Sequence, residues 1–317
     1  MLFRSYNAFF QTTTEPAVRL ATHLSQLAPA VGGRTFKHVF FSSSGSESND
    51  TNVRLVRRYW DLMGQPQRKV IIGRVNGYHG STMAGASLGG MASMHEQGDL
   101  PIPDIDHIDQ PYFYEKGMPG ETSEEFGLRA AGWLEAKIKE IGPQRVAAFI
   151  AEPVQGAGGV IIPPSTYWPE IQRIVDKYGI LLISDEVICA FGRLGRWFAY
   201  ERFGYKPDLI TFAKGVTSGY VPLGGVLVGN RVAEVLIDKG GEFNHGYTYS
   251  GHPVACAVAM ANLKLMENTA LPDRVRGDIG RYFASSFTSL MDHPLVGTAD
   301  ACGFVAGLLL EIGRAHV

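Results

Sequence analysis

Two apolar, strand-like runs that each end in a charged side chain constrain this chain most strongly. Residues 179–186 place Asp185 at the carboxyl end of one run, and residues 207–215 place Lys214 at the end of the other. In an open α/β sheet, ligands bind just beyond the carboxyl ends of the strands. We therefore expect the carboxylate and the amine at one edge of a sheet, although either residue alone would also suit a turn cap or a solvated strand end.

The rest of the chain alternates strand-like and helix-like patterns. Apolar runs predict strands at 146–152 and 180–185, and a helix at 166–178 lies between them with Ile171 and Val175 on its inward face. Strands that alternate with helices are typical of an α/β protein with a largely parallel sheet. By contrast, residues 91–127 are rich in Pro, Asp and Gly, and we expect a long surface excursion there.

A short strand runs directly into a helix near the start of the chain. Residues 40–46 read FFSSSGS, and a helix is predicted from Glu47 to Met63. Its inward face is predicted from apolar residues at three- and four-residue spacing: Val53, Val56, Tyr59, Trp60 and Met63. Small residues at a helix start leave amide N–H groups free, and the helix dipole favours an anion there. An ordinary serine cap would give the same pattern. Residues 40–46 are therefore a candidate phosphate cradle.

A second glycine-flanked turn, residues 77–80, follows the apolar run at 70–72 and reads GYHG. Glycines on both sides of an aromatic residue let the backbone approach a planar ligand, on which Tyr78 could stack. A core tyrosine in a tight turn is the alternative. Together, a lysine, a carboxylate, an anion site and a stacking ring suit pyridoxal phosphate, which needs a lysine for its Schiff base and a carboxylate at its pyridine nitrogen.

The order of these motifs resembles the class III, fold type I pyridoxal-phosphate aminotransferases, from about Tyr6 to Glu311. Within that family the chain is most similar to the amine:pyruvate (ω-transaminase) branch, which includes putrescine–pyruvate aminotransferases. The resemblance implies a fold type I large domain with a mostly parallel sheet and part of a small domain. The matching stretches are residues 44–50 (SGSESND), 76–82 (NGYHGST), 151–159 (AEPVQGAGG), 185–187 (DEV), 213–215 (AKG) and 248–253 (TYSGHP).

The resemblance also implies roles for individual residues. Lys214 would carry the cofactor and move the proton, and Asp185 would pair with the pyridine nitrogen. Tyr78 would cover one face of the ring and Val187 the other, while Thr248 would reach the phosphate of a partner subunit, which implies a homodimer with shared active sites. The remaining implied residues are Ser44, Gly45, Ser46, His79 and Glu152 around the cofactor and Phe9, Tyr78, Ala157 and Tyr247 in the substrate pocket.

Ala157 bears on the substrate. The ornithine and 4-aminobutyrate branches of the family carry a glutamate at this position, where it pairs with a mobile arginine. An alanine removes that partner and leaves room for the side group of an amine. We therefore expect transamination from an amine or ω-amino donor to a keto acid such as pyruvate.

The resemblance predicts three segments: a truncated N-terminal part at 1–35, a large cofactor-binding domain at 36–270, and the start of a small domain at 271–317. Residues 2–5 and 312–317 match translations of common sequencing-adapter DNA. Such segments should be excluded from fold reasoning. We expect a gene fragment whose missing part includes the arginine for the substrate carboxylate.

Composition excludes several classes of function. The net charge is −2, from 29 basic and 31 acidic residues without a charged run, so nothing predicts attraction to nucleic acid or a membrane. No apolar run approaches the ~20 residues of a membrane span. The three cysteines are widely spaced and show neither a disulfide framework nor metal-ligand spacing, so no metal is expected. This composition favours a cytoplasmic enzyme.

Two other functions fit parts of the sequence. Residues 85–89 read GASLG and match a nucleophile elbow, which would make Ser87 the nucleophile of a serine hydrolase with Asp185 and His252. The residues before it are small and polar rather than strand-like, and Lys214 would be left without a role. Within the same fold, an aminomutase or a decarboxylase is the other alternative.

Overall fold

The computed structural model describes residues 12–311. Its main feature is a seven-stranded sheet with strand order β1-β7-β6-β5-β4-β2-β3, and β7 runs antiparallel to both of its neighbours while the other pairs are parallel. The prediction of an α/β fold with a mostly parallel sheet is therefore confirmed. The strands are β1 His38–Ser42, β2 Val70–Arg74, β3 Ile105–Ile108, β4 Val146–Ala151, β5 Leu181–Asp185, β6 Leu209–Phe212 and β7 Gly224–Val228.

Helices cover both faces of this sheet. Their ends follow local sequence signals: Thr122 and Glu125 form a reciprocal capping box before α6, and Gly179 ends α7 in the left-handed conformation. The helices are α1 Glu15–Leu27, α2 Gly45–Leu62, α3 Met83–Leu88, α4 Ala92–His95, α5 Phe113–Lys116, α6 Ser123–Ile141, α7 Tyr167–Tyr178, α8 Tyr200–Phe203, α9 Asn230–Lys239, α10 Pro253–Asn268, α11 Leu271–Arg276 and α12 Asp278–Thr288.

Two apolar cores lie on opposite faces of the sheet, because side chains alternate along each strand. In β5, Leu182 packs into the core beneath α1, α6, α7 and α10, whereas Leu181 and Ile183 pack into the core beneath α2 and α9. The β5 strand is buried along its whole length, which explains why its sequence is a continuous apolar run. The indole of Trp60 in α2 donates to the carbonyl of Ala147 in β4 at 3.0 Å and fixes this helix on the sheet.

The direction of the strands places three segments at one edge. Asp185 ends β5 and pairs with Thr211 of β6, while Ser42 at the end of β1 pairs with Gly224 at the start of β7. Since β7 is antiparallel to β6, the connection 213–223 turns back across this same edge and carries Lys214. The end of β1 that leads into α2, the carboxylate of Asp185 and the lysine are therefore brought to one place.

A separate two-stranded sheet, β8 Val296–Cys302 and β9 Val305–Leu310, packs against α12. The helix predicted from Leu271 through Phe287 is instead two helices, because the helical conformation is interrupted at Gly277. This arrangement is compatible with a second domain that starts near Leu271, and the predicted domain boundaries stay a prediction.

Two further expectations were wrong. Residues 91–127 are not only a surface excursion, because they contain β3, which extends the sheet beside β2, and the start of α6. Met63, predicted on the inward face of its helix, follows the last residue of α2 and is 37% exposed. Within residues 12–311, none of the helices has both the length and the apolar character needed to cross a membrane.

Candidate active site

Asp185 is held rigidly at the end of β5. Its Oδ2 accepts hydrogen bonds from Nδ1 of His79 at 2.7 Å and from Nδ2 of Asn49 at 2.8 Å, and its Oδ1 accepts one from the amide of Val187 at 3.1 Å. A carboxylate has about four acceptor positions. Three are used by the protein, so one position is left for a donor in the cavity.

Asn49 is the centre of this buried network, and the sequence analysis did not identify it. Its Nδ2 donates to Asp185 and to the carbonyl of His79 at 2.8 Å, and its Oδ1 accepts from Asn52 at 2.9 Å and from Thr211 at 2.9 Å. The signal was present: Asn49 and Asn52 fall in the same helical stripe as Val53 and are therefore on the buried face.

The residues predicted to bind a phosphate lie at the start of α2. Ser44 is the N-cap, and its hydroxyl accepts from the amide of Glu47 at 3.2 Å, while the Glu47 carboxylate accepts from the amide of Ser43 at 2.7 Å. Within residues 12–311, the amides of Gly45 and Ser46 have no acceptor. They stay available at the positive end of an 18-residue helix, as an anion site requires.

The turn at 77–80 packs directly on the start of α2. Gly80 has φ +127°, and a Cβ there would lie 2.6 Å from the hydroxyl of Ser46, so only glycine fits. The amide of Ser81 donates to that hydroxyl at 3.1 Å. These contacts bring Tyr78 and the buried His79 to the cavity beside Asp185.

Glu152, just after β4, supports the same turn. Its carboxylate is buried and accepts from the amides of Tyr78 at 3.1 Å and of Gly156 at 2.9 Å. Burial raises the pKa of Glu152, and the neighbouring His79 opposes this rise. The guanidinium of Arg74 donates to the Glu152 carbonyl at 2.5 Å and holds the backbone of this residue from behind.

Lys214 follows β6 in a single 3-10 turn, Lys214–Val216. Its φ is +41°, in the left-handed region that costs a non-glycine residue energy. The side chain is exposed, and no carboxylate within residues 12–311 forms an ion pair with it. Its amine is therefore not committed to a structural contact.

These residues line one cavity of about 360 Å³, which is within the range of small-molecule sites. The loop before β7 closes one side with Val221, Pro222 and Leu223, none of which was predicted from the sequence. The predicted residues that line the cavity are Ser44, Gly45, Ser46, Tyr78, His79, Glu152, Asp185, Val187 and Lys214.

The other predicted residues lie elsewhere. Ala157 is exposed in the turn after β4 and does not line this cavity. Tyr247 points its hydroxyl to the carbonyl of Glu47 at 2.8 Å, and Thr248 is exposed in the loop before α10. Phe9 lies outside the described residues. The roles of these four residues stay predictions.

The interpretation of Ser87 as a nucleophile is wrong. Ser87 lies inside α3 and is buried, and its hydroxyl donates to the carbonyl of Met83 at 2.6 Å and accepts from the amide of Ile102 at 3.0 Å. A nucleophile elbow instead exposes its serine between a strand and a helix. Both hydrogen bonds of Ser87 are structural, and the carboxylate of Asp185 is hydrogen-bonded to His79 and Asn49.

The residues present fit pyridoxal phosphate. The cavity has an anion-binding end at Gly45 and Ser46, a carboxylate with one open acceptor position at Asp185, and an uncommitted amine at Lys214. A Cβ at Gly45 would come within 3.0 Å of the Val187 side chain, so glycine keeps the space between the cradle and that side chain open. This set of donors and acceptors is complementary to a phosphate, a pyridine nitrogen and an aldehyde.

Comparison with known proteins gives a consistent assignment. The family model described as aminotransferase class-III matches residues 3–310. A putrescine–pyruvate aminotransferase of Pseudomonas aeruginosa is 56% identical over 306 residues, which are 96% of this chain and 66% of that protein. A chloroplastic gamma-aminobutyrate transaminase of Solanum lycopersicum is 46% identical over 305 residues, 95% of this chain and 58% of that protein.

A solved structure agrees with these relatives. The ω-transaminase of Pseudomonas jessenii, solved in complex with PMP, superposes with a TM-score of 0.93 at 42% identity over 98% of this chain and 68% of that one. The chain thus spans between about three fifths and two thirds of the length of the two curated relatives. Its match to the family model covers nearly its whole length, and we conclude that this chain belongs to the class III aminotransferase family.

Proposed function

We propose that this protein transfers an amino group from an amine to a keto acid, with pyridoxal phosphate held by Lys214. The observation that carries the proposal is that one cavity joins the free amides of the α2 N-terminus, the oriented carboxylate of Asp185 and the uncommitted amine of Lys214. The family assignment supports the same cofactor.

Each of these residues has a distinct task. The amides of Gly45 and Ser46 would bind the phosphate. Asp185, which lines the same cavity and has one acceptor position left, would hold a proton at the ring nitrogen. Tyr78 and Val187 would enclose the two faces of the ring. When bound, the cofactor supplies an electrophilic carbonyl carbon and an electron-withdrawing ring.

Lys214 is the residue that would move protons. Because no carboxylate of the described chain pairs with its Nζ, no ion pair has to be broken before the side chain reaches the substrate carbon, where it would carry the proton. The left-handed backbone at Lys214 is an unfavourable conformation that the surrounding structure has to impose. Buried Asn49 and His79 keep Asp185 from turning away during this transfer.

The proposed donor is an ω-amine such as putrescine, and the proposed acceptor is pyruvate. This choice rests on the name of the Pseudomonas aeruginosa relative and on the ω-transaminase structure, and Ala157 in place of a glutamate supports it. The relatives described above are all transaminases, which does not favour an aminomutase or a decarboxylase. A homodimer in which Thr248 reaches the partner's phosphate, and a cytoplasmic location, complete the proposal.

The test is covalent labelling of the lysine. Borohydride treatment of the protein with pyridoxal phosphate should fix the cofactor on Lys214, as found by peptide mapping, and Lys214→Ala should abolish the label. Lys264→Ala removes an exposed lysine of α10 and should change nothing. Label on another lysine, or none in the wild type, would refute the assignment.

Activity and specificity are tested separately. Putrescine with pyruvate should yield alanine, and Lys214→Ala should reduce the rate by more than the ~10²–10⁴-fold of a lone acid–base group, because the covalent step is lost as well. Asp185→Asn is nearly isosteric and should preserve the fold while lowering the rate. Near-normal turnover of Asp185→Asn would contradict the proposed role of Asp185. A strict preference of the wild type for 4-aminobutyrate as donor would contradict the proposed donor.

A further inference from the structure

A line of hydrogen bonds connects α2 to the loop that precedes α10. Nη1 of Arg54 lies 2.8 Å from Nδ1 of His245, and Nε2 of His245 lies 2.8 Å from the hydroxyl of Thr51. That hydroxyl donates to the carbonyl of Glu47 at 2.9 Å, in the first turn of α2. None of these contacts takes part in the chemistry proposed above.

The chemistry of the donors fixes the state of His245. A guanidinium can only donate, so Nδ1 of His245 must accept, and the ring is neutral with its proton on Nε2. Nε2 then donates to the hydroxyl of Thr51, and that hydroxyl donates its own hydrogen bond to the carbonyl of Glu47. Burial, together with the neighbouring Arg54, lowers the pKa of His245 to about 4, in agreement with a neutral ring. The ring also stacks on Phe40 with centroids 5.1 Å apart.

The same loop is attached at two more points. The hydroxyl of Tyr247 donates to the Glu47 carbonyl at 2.8 Å, and the hydroxyl of Ser250 donates to the carbonyl of Phe41 at 2.9 Å. Phe41 belongs to β1, which leads into the cradle. The exposed residue Thr248 therefore lies on a short arm whose ends are both fastened to the elements that form the phosphate site.

We propose that His245 is a positioning residue that presents Thr248 to a cofactor phosphate. The neutral ring, clamped between Arg54 and Thr51 and stacked on Phe40, sets where the arm 245–250 stands relative to the start of α2. This inference rests on the proposed function, in which Thr248 binds the phosphate in the partner subunit. It adds that phosphate binding depends on a histidine that does not itself touch the cofactor.

The experiment is a titration of the cofactor-free protein with pyridoxal phosphate. His245→Leu removes both polar contacts and should raise the dissociation constant roughly 10- to 100-fold, as the loss of a hydrogen bond to a charged group does. His245→Gln can still accept from Arg54 and donate to Thr51, so it should recover most of the affinity. His293→Leu changes an exposed histidine next to β8 and should have no effect.

A double-mutant cycle tests whether His245 affects cofactor binding through Thr248. Thr248→Ala should weaken binding by a similar factor, and His245→Leu combined with Thr248→Ala should bind no more weakly than the weaker single variant, because both changes remove one interaction. Fully additive losses would overturn the inference. If His245→Leu does not fold, Thr51→Val breaks the same line of bonds with a near-isosteric side chain and should raise the constant in the same direction.

The two proposals fail in different ways. If wild type binds cofactor and labels Lys214 but Thr248→Ala leaves the dissociation constant unchanged, the positioning role of His245 is refuted while the proposed function stands. If the wild type neither binds pyridoxal phosphate nor labels Lys214, the proposed function itself is refuted, and with it the role of His245.

Discussion

Replacing Asn49 by alanine should destabilise the protein strongly, although Asn49 is not expected to react with any substrate. Its amide makes four hydrogen bonds, two as donor and two as acceptor, to Asp185, His79, Asn52 and Thr211. A typical hydrogen bond contributes about 0.5–1.5 kcal/mol net, so four give a loss of about 2–6 kcal/mol. That is a large part of the ~5–15 kcal/mol by which a domain is usually stable.

The assay is urea unfolding followed by circular dichroism. Asn49→Ala should lower the free energy of unfolding by the amount above, and Asn268→Ala, an exposed asparagine at the end of α10, should change it by no more than about 0.5 kcal/mol. Asn49→Asp preserves the shape but places a second acceptor 2.8 Å from the Asp185 carboxylate, so it should also destabilise. A loss below about 1 kcal/mol for Asn49→Ala would refute the view that this network holds Asp185.

Three more outcomes follow from single positions. Gly80→Ala should lower the free energy of unfolding in urea by about 1–3 kcal/mol and weaken cofactor binding. Gly98→Ala, also at positive φ but with open space around it, should lower that free energy by less. Equal losses of stability would contradict the close contact between Gly80 and Ser46. Ser87→Ala should lower the free energy of unfolding by about 1–3 kcal/mol in the same assay and leave the dissociation constant of the cofactor unchanged. A loss of cofactor binding would indicate that Ser87 has a role in the site. Burial and the charge of Arg54 lower the pKa of His245 from its ordinary value near 6.5 to about 4, so unfolding takes up a proton and the free energy of unfolding should fall as the pH drops from about 6.5 towards 4. His245→Gln should flatten that part of the curve of stability against pH. An unchanged curve for this variant would refute a neutral His245.

The positions of Asp185 and Lys214 at one edge of the sheet could be predicted from the sequence because they follow from strand geometry. Asp185 and Lys214 each end an apolar run, and parallel strands bring such ends to one edge. Asn49 was not predicted because an asparagine in a helix is usually on a solvent face, and only its place in the apolar stripe with Asn52 and Val53 shows otherwise. The β3 strand was missed because IDHI is four residues long and carries two polar side chains on a sheet edge.

Contacts between distant segments lay beyond any local pattern. The line from Arg54 to His245 joins residues 191 positions apart, and neither sequence neighbourhood indicates the other. The same holds for the wall formed by Val221, Pro222 and Leu223, which depends on the reversed direction of β7. Such contacts follow from the packing of the sheet rather than from propensity or periodicity.

The reversal between β6 and β7 has a consequence for how this site can change. Phe212 is in register with Gly225, so the segment 213–223 is a closed loop between two neighbouring buried strands, and its length is fixed at both ends. Lys214 lies two residues after Phe212, so β6 sets its position, whereas β7 sets the position of the wall at 221–223. A change in the number of residues between 215 and 220 should therefore disturb Lys214 less than a change within β6, because β6 also carries Thr211, the partner of Asp185 in the sheet.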